Sequence, residues 1–378
     1  MTTIAPGKTI GIFGGGQLGR MTAMAAREMG YRVRVLDPDP ACSARPVADE
    51  HVVAAFDDAE AARRFASGVD VVTLEIEKIG LDALAAAEAL APVRPARSVL
   101  AVVQDRIAQR TWLDRAGLPV GPYRAAHDAP ELARALEALG GTCFVKAARG
   151  GYDGRGQFET TSSAQAEEAF AALGGVPCLV EKALPIEREI SVMVARRPSG
   201  ECVAYPPAEN HHERRILAWS VLPATTIAPE LARRAEAIAR AIADGLALEG
   251  ILCVELFVVG GELLVNELAP RPHNSYHASF VGAATSQFEQ QVRAVCDLPL
   301  GSVEIVRPAA IANLLGDLWI GNDPPPFDRA LAIPGVRVHL YGKAGARPGR
   351  KMGHLSATGP TPEHAVASVL AANAALAR

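Results

Sequence analysis

The 378-residue chain lacks the marks of several large protein classes. It has no broad basic excess, its formal net charge being -4, so nothing in its charge balance suits a nucleic-acid backbone. No run reaches the roughly 18 apolar residues that a membrane-spanning helix needs. The first residues show no charged segment followed by an apolar stretch and a cleavage site. No Cys-x-x-Cys occurs among Cys42, Cys143, Cys178, Cys202, Cys253 and Cys296, which argues against a zinc knuckle or a thioredoxin-type pair. Scattered through apolar runs, these cysteines read as reduced, buried thiols, and a cytoplasmic location is the expectation. Internal repeats and low-complexity linkers are also absent.

What is there is an ordinary enzyme composition, 49% hydrophobic and 21% charged, in a chain long enough for two or three packed domains. Cations gather locally at Lys343, Arg347, Arg350 and Lys351, a grouping suited to one small anionic ligand.

The hydrophobic pattern predicts strands at Thr9–Phe13, Arg32–Leu36 and Val69–Leu74. Helices are expected over Arg20–Met29 and Leu81–Leu90. Together they make a small α/β domain with a parallel sheet. A helix follows over 105–117 with Asp105 as its N-cap. Further strands are expected at Thr142–Ala147, Cys178–Lys182, Glu189–Ala195 and Glu201–Tyr205, and helices over Ser163–Leu173 and Glu230–Leu246. Ile251–Val259 and Glu262–Leu268 read as a hairpin around Gly260-Gly261. The last segment shows strands at Ala309–Leu314 and Val336–Tyr341, then a helix opened by Thr361-Pro362-Glu363.

Gly14-x-Gly16-x-x-Gly19, with Asp37 closing the second strand, matches a dinucleotide fingerprint. A helix N-terminus behind a glycine turn offers free N–H groups to any anion, so the pattern is not specific to nicotinamide. A phosphate-bearing substrate at this turn is the better expectation.

The strand Phe144-Val145-Lys146 leads into Arg149-Gly150-Gly151-Tyr152-Asp153-Gly154-Arg155-Gly156-Gln157. Its glycines leave backbone amides open to wrap phosphates, and Lys146 supplies a point charge for them. The loop also suits a lid over the nucleotide. The bland alternative is a solvated hairpin turn at Asp153-Gly154. The strand Leu179-Val180-Glu181-Lys182-Ala183-Leu184 has a backbone that can meet an adenine edge, with Glu189 available to ribose hydroxyls.

Glu255 and Glu267 are the sharpest pair. Magnesium takes hard oxygen ligands, commonly one or two carboxylates plus phosphate oxygens. Side chains alternate along a strand, so register decides whether the two carboxylates meet. A two-residue loop at Gly260-Gly261 would put them on opposite faces. A three-residue loop, or a bulge of the same effect, puts them opposite each other on one face, and this is the expectation. His273 and His277, four apart, could imitate a helical zinc pair. Two prolines just before them and the lack of a third ligand favour substrate contact for one and packing for the other.

These motifs together resemble the N5-carboxyaminoimidazole ribonucleotide synthetase family of ATP-grasp ligases. The likeness runs through Gly14–Gly19, Thr73-x-Glu75-x-Glu77, Gln104-Asp105-Arg106, Lys146, Tyr152–Gln157, Glu181–Leu184, Glu189 and Glu209-Asn210-His211-His212. It continues through Asn266-Glu267-Leu268-Ala269-Pro270-Arg271-Pro272-His273-Asn274-Ser275 and ends in Pro348-Gly349-Arg350-Lys351-Met352-Gly353-His354. The resemblance implies an α/β and α+β architecture in three parts. These are a Rossmann-like pre-ATP-grasp βαβ domain over 1–104, an ATP-grasp domain over 105–300 with a lid at about 120–185, and a small C-terminal domain over 301–378.

It also implies the site. ATP, the co-substrate, would meet Arg106, Lys146, Tyr152, Asp153, Gly154, Arg155, Gly156, Gln157, Glu181, Lys182, Ala183, Leu184, Glu189, His212, Asn266 and Glu267. Glu255 and Glu267 would hold magnesium or manganese. Arg271, His273 and Asn274 would be catalytic. Gly15, Gln17, Leu18 and Glu75 would surround aminoimidazole ribonucleotide, with Lys343, Arg350 and Lys351 on its 5′-phosphate. The implied reaction joins bicarbonate to the ribonucleotide amine through carboxyphosphate. The implied partners are small molecules and a second copy of the chain in a homodimer, with no nucleic acid and no membrane. A formate-dependent transformylase or another ATP-grasp ligase is the nearer alternative, a nicotinamide-dependent oxidoreductase the farther one. Two departures stand out. Tyr276 replaces the glycine of Asn-Ser-Gly-His and is expected to add bulk near the reacting centre, and Glu75-Ile76-Glu77-Lys78 replaces Glu-Phe-Glu-Asn.

Overall fold

A computed structural model describes residues 3–150, 156–321 and 323–377. Among them the strands form three sheets, each placed by the burial pattern of its residues. The first holds β1 (Thr9–Phe13), β2 (Arg32–Leu36), β3 (Glu50–Val52) and β4 (Val71–Leu74), all parallel, in the order β3-β2-β1-β4. Strand β4 begins two residues later than the pattern suggested. The first helix, Gln17–Glu28, begins three residues earlier than expected, directly behind the glycine turn. This unit is fastened to the rest by Arg94, which pairs with Glu249 at 2.8 Å and donates to the Val295 carbonyl at 2.6 Å. Gln291 adds a bond from its amide to the Thr73 hydroxyl at 2.6 Å.

The second sheet is antiparallel, with β5 (Tyr123–Ala126), β6 (Cys143–Ala147), β7 (Gln157–Thr160) and β8 (Cys178–Lys182) in the order β5-β8-β6-β7. Its apolar face, with Cys143, Val145, Cys178 and Val180, packs on the helices Ala129–Leu139 and Ala166–Ala172. The helix expected over Ser163–Leu173 divides into a 3₁₀ turn, Ser163–Gln165, and Ala166–Ala172. The Ser162 hydroxyl caps that turn by accepting from Ala164 N–H, so the chain tightens before the α-helix begins.

The third sheet is large and antiparallel. It contains β9 (Arg188–Arg196), β10 (Cys202–Ala204), β11 (Ala208–Glu213), β12 (Ile216–Leu222), β13 (Gly250–Val259), β14 (Glu262–Ala269), β15 (Ala309–Leu315), β16 (Val336–Leu340) and β17 (Lys351–Thr358). The order is β14-β13-β9-β11-β12-β15-β17-β16, with β10 also on β9. Strand β9 is central, and its side chains alternate between two cores. Ile190, Val192 and Val194 pack toward the helix Pro229–Gly245, while Met193 and Ala195 pack toward Tyr205 and Tyr276. Strands β15–β17 come from the last part of the chain and extend the same sheet. Among the described residues no helix is long and apolar enough to cross a membrane.

Candidate active site

The β13–β14 hairpin is the centre of the site. Its loop is two residues, because Val259 already pairs with Glu262, which corrects the three-residue expectation. A bulge between Glu255 and Leu256 then shifts the register by one, and Glu255 stands opposite Glu267 on one face. Of the two expected routes to this facing pair, the bulge is the one the chain takes. Glu255 Oε1 lies 3.1 Å from His273 Nε2, and its Oε2 accepts from the Asn266 amide at 3.4 Å. Burial works against ionising Glu255, but the His273 ring and the nearby His212 and Lys351 outweigh it and hold its pKa low. Glu267 projects into the open cleft among protein walls. That shielding, together with the Glu255 charge, raises its pKa, while Arg106 and Lys146 act in the opposite direction. Two carboxylates facing each other in this way are a hard-oxygen site short of one positive charge.

The segment after β14 delivers the reacting side chains. Arg271 Nε pairs with Glu77 Oε1 at 2.7 Å, tying this segment to the end of the parallel sheet. A 3₁₀ turn, Asn274–Tyr276, follows, with His273 as its N-cap. Asn274 is 7% exposed, and among the described residues neither its amide nitrogen nor its oxygen has a hydrogen-bond partner. Such groups are costly unless a ligand takes them. His273 and His277 diverge. His277 is fully buried, with Nδ1 3.1 Å from the Gln287 amide nitrogen and its ring stacked 4.8 Å from that of His354. Tyr276 corrects an expectation. Its side chain turns away from the cleft into the core, edge-on to Tyr205, and its hydroxyl lies 2.9 Å from the Ser191 carbonyl and 2.8 Å from the Pro206 carbonyl.

On the nucleotide side, Lys146 Nζ is 2.7 Å from Glu181 Oε2, while Arg110 grips Glu181 Oε1 at 2.5 and 2.8 Å. Burial opposes the Glu181 charge, but Lys146 and Arg110 overcome it and hold its pKa at about 2. Both oxygens are thus committed to cations. The N–H groups of Lys182 and Ala183 already bond to the carbonyls of Pro122 and Thr142. Arg106 donates to the carbonyls of Ala147 at 2.9 Å and Gly150 at 2.6 Å, setting the start of the glycine loop. Glu189 and His212 Nδ1 are 3.0 Å apart on β9 and β11. Gly156 and Gln157 lead into β7, whereas Tyr152, Asp153, Gly154 and Arg155 lie outside the described residues.

The N-terminal glycine turn holds a surprise. Its amides are already occupied: Gly16 N–H donates to Glu75 Oε1 at 2.9 Å, and Leu18 and Gly19 donate to Oε2 at 3.1 and 3.0 Å. Gly15 N–H donates to Asp37 Oδ2 at 2.7 Å. A side chain on Gly14, where φ is +95°, would place Cβ 2.5 Å from Glu75 Cγ, so the fingerprint accommodates the protein's own carboxylate. Those four backbone amides are therefore not free to hold an anion of a ligand. Glu75 does for the helix Gln17–Glu28 what an external anion would do. Burial raises the Glu75 pKa against the opposing pull of these amides.

At the far end, Lys343 Nζ meets Gln17 Oε1 at 2.5 Å and the Lys351 carbonyl at 2.8 Å, above the Tyr341 ring. Arg350 donates to the carbonyls of Ala344 and Gly345, bracing its own loop. The Lys351 charge acts on Glu255 and the Arg271 charge on Glu75, so the hairpin, the turn and this cationic end lie near one another. Arg110, Ser191 and Gln287 were missed. An arginine inside a helix looks solvated in sequence, yet the Arg110 side chain is 5% exposed. For Ser191 the only signal was one hydroxyl inside an apolar run.

The whole chain matches known proteins in register with this description. Residues 7–104 match a ribonucleotide synthetase pre-ATP-grasp domain, 111–288 an ATP-grasp domain, and 309–368 a phosphoribosylaminoimidazole carboxylase C-terminal domain. The chain is 41% identical to the N5-carboxyaminoimidazole ribonucleotide synthase of Bacillus subtilis, over 93% of its own length and 92% of that relative. It superposes on an N5-carboxyaminoimidazole ribonucleotide synthetase in its ADP complex with a TM-score of 0.91 at 41% identity, covering 99% and 98% of the two chains. The Aspergillus clavatus synthase, crystallised with ADP and 5-aminoimidazole ribonucleotide, gives 0.88 at 31% identity and 98% coverage of both chains.

Proposed function

The chain belongs to the N5-carboxyaminoimidazole ribonucleotide synthases, ATP-dependent ligases of purine biosynthesis, and from that premise we propose how its own residues divide the work. ATP lies between the two antiparallel sheets, against Arg106, Lys146, the backbone of 181–184, Glu189, His212 and Asn266. Aminoimidazole ribonucleotide lies toward the glycine turn, within reach of Gln17, Leu18 and Glu75, with Lys343, Arg350 and Lys351 toward its 5′-phosphate. The three-part division at 1–104, 105–300 and 301–378, a homodimer and a cytoplasmic location belong to the same reading.

One observation carries it: Glu255 and Glu267 face each other across the bulged hairpin. Both are hard oxygen donors, and the charge they lack is what a magnesium or manganese ion brings with a nucleotide. When bound there, the ion supplies neutralisation of the terminal phosphates. The protein's task is then positioning and electrostatics. Lys146 and Arg271 bring positive charge to the γ-phosphate as a bicarbonate oxygen attacks it, forming carboxyphosphate and releasing ADP. The phosphate now on the carboxyl group is the leaving group that bicarbonate lacks. Asn274, whose amide is buried without a protein partner, holds the carboxyl unit while the ribonucleotide amine attacks its carbon and expels phosphate. Arg271, anchored by Glu77, and the walls of the cleft keep water from competing.

The test is ADP release with and without aminoimidazole ribonucleotide, in bicarbonate-containing and bicarbonate-depleted buffer. Release that needs both, and is not restored by formate, is the expected result. Formate-dependent turnover would point to the transformylase, and NADH binding without ATP binding to the oxidoreductase.

A further inference from the structure

Beneath the turn that carries His273 and Asn274, the large sheet presents a polar spot in an otherwise apolar face. Ser191 on β9, Asn210 on β11 and Ser220 on β12 lie on neighbouring strands, with Ala208 paired to Ser191 and Asn210 paired to Ser220. Around them that face is built from Met193, Ala195, Tyr205, Leu222 and Ile251. Ser191, Ser220 and Ser275 are wholly buried, and Asn210 is 8% exposed. Alanine at these positions would pack the same face without desolvating a hydroxyl or an amide. What the polar groups gain is a connected chain of bonds that ends on a reacting side chain.

The Asn210 amide donates to Ser191 Oγ at 3.1 Å, Ser191 Oγ is 2.8 Å from Ser275 Oγ, and Ser275 Oγ is 2.8 Å from His273 Nδ1. Ser220 donates to the Ser275 carbonyl at 2.8 Å and holds the turn itself. Each hydroxyl has one hydrogen to give. The chain ends on Nδ1 of His273, and the Ser275 backbone N–H lies 3.4 Å from the same nitrogen. The opposite ring nitrogen, Nε2, is the atom 3.1 Å from Glu255 Oε1.

We propose that Asn210, Ser191 and Ser275 are positioning residues that hold the His273 ring in place and thereby orient the Glu255 carboxylate for a divalent cation. The proposal rests on the reading that Glu255 and Glu267 hold that cation with the nucleotide. With Oε1 taken by His273 and Oε2 only loosely held by Asn266, the carboxylate has one fixed and one available oxygen. Groups behind a ligand set its angle and basicity, and losing one typically weakens metal binding by roughly 10–100-fold.

A readout besides turnover tests this on the full-length enzyme: manganese titration in the presence of ADP, followed by electron paramagnetic resonance, reports affinity. Ser275→Ala is expected to weaken manganese binding by about 10-fold. Ser191→Ala, one bond further back, is expected to do the same to a smaller degree, and it serves if Ser275→Ala fails to fold. In a His273→Ala background, Ser275→Ala is expected to add less than about twofold, because a residue acting through another loses its effect when that other is gone. Wild-type affinity in both serine variants would overturn the proposal, as would full additivity with His273→Ala. If His273→Ala binds manganese normally while Glu267→Gln does not, the metal site stands and this proposal falls. If Glu267→Gln also binds normally, the underlying reading falls with it.

Discussion

Two carboxylate centres in this molecule begin from the same chemistry and end differently. At the glycine turn, Glu75 lies against three backbone amides, those of Gly16, Leu18 and Gly19, and its charge is neutralised within the protein. At the hairpin, Glu255 and Glu267 stand opposite each other, with His273 against Glu255. The turn with the better-known fingerprint is the closed one, and the hairpin, which matches no short motif, is the open one. A glycine pattern records what the backbone can approach. Whether that partner is a ligand or a side chain from another strand depends on a residue 56 to 59 positions away.

The comparison makes its largest claim at the hairpin. Glu267→Gln keeps size and shape but removes one charge, so magnesium-dependent ATP turnover is expected to fall by about 10³-fold, with an urea midpoint close to wild type. Steady-state ADP release and an unfolding curve on the same sample check both halves. Next comes the closed centre. Glu75→Ala strips three amides of their acceptor at a buried helix start and is expected to cost about 2–3 kcal/mol of folding stability, read by urea denaturation. A stable Glu75→Ala protein would show that water, or a phosphate, can replace the carboxylate at little cost.

A pH experiment sharpens the contrast. Glu181 is held at about 2, below the ordinary 4.5, so the unfolded chain takes up its proton first as pH falls. The stability that Glu181 contributes is therefore present above about pH 4.5 and lost progressively toward about pH 2. The stability gap between wild type and Glu181→Gln is expected to shrink across that window, and a gap constant with pH would contradict the pairing with Lys146 and Arg110. The smallest effect is expected at Tyr276. Tyr276→Phe removes a hydroxyl bonded to the Ser191 and Pro206 carbonyls and is expected to cost about 1 kcal/mol in stability, with kcat within about twofold of wild type. A large loss of kcat would return this side chain to the reacting centre.

Much of the fold and of the site was legible in sequence, and the misses have physical causes. Strands β1, β2 and β8 and the Asp105 cap were placed to the residue, because apolar runs bounded by glycine, aspartate or lysine leave little freedom. Strands β11 and β17 were seen only as motifs, since Ala208–Glu213 is mostly polar and Lys351–Thr358 opens on a cation. The carboxylate pair was foreseen, with a longer loop or a bulge both open as its cause, because hydrophobic alternation does not distinguish the two. Arg110 and Ser191 act through partners 71 and 84 residues away, contacts that no local pattern encodes.

The central claim is that the hairpin pair, and not the glycine turn, holds the cation that accompanies the nucleotide. Manganese titrations in the presence of ADP, run side by side on wild type, Glu75→Gln and Glu267→Gln, test it most directly. One site per chain in wild type and Glu75→Gln, lost in Glu267→Gln, is the predicted result. Undiminished manganese binding in Glu267→Gln, or its loss in Glu75→Gln alone, would contradict it.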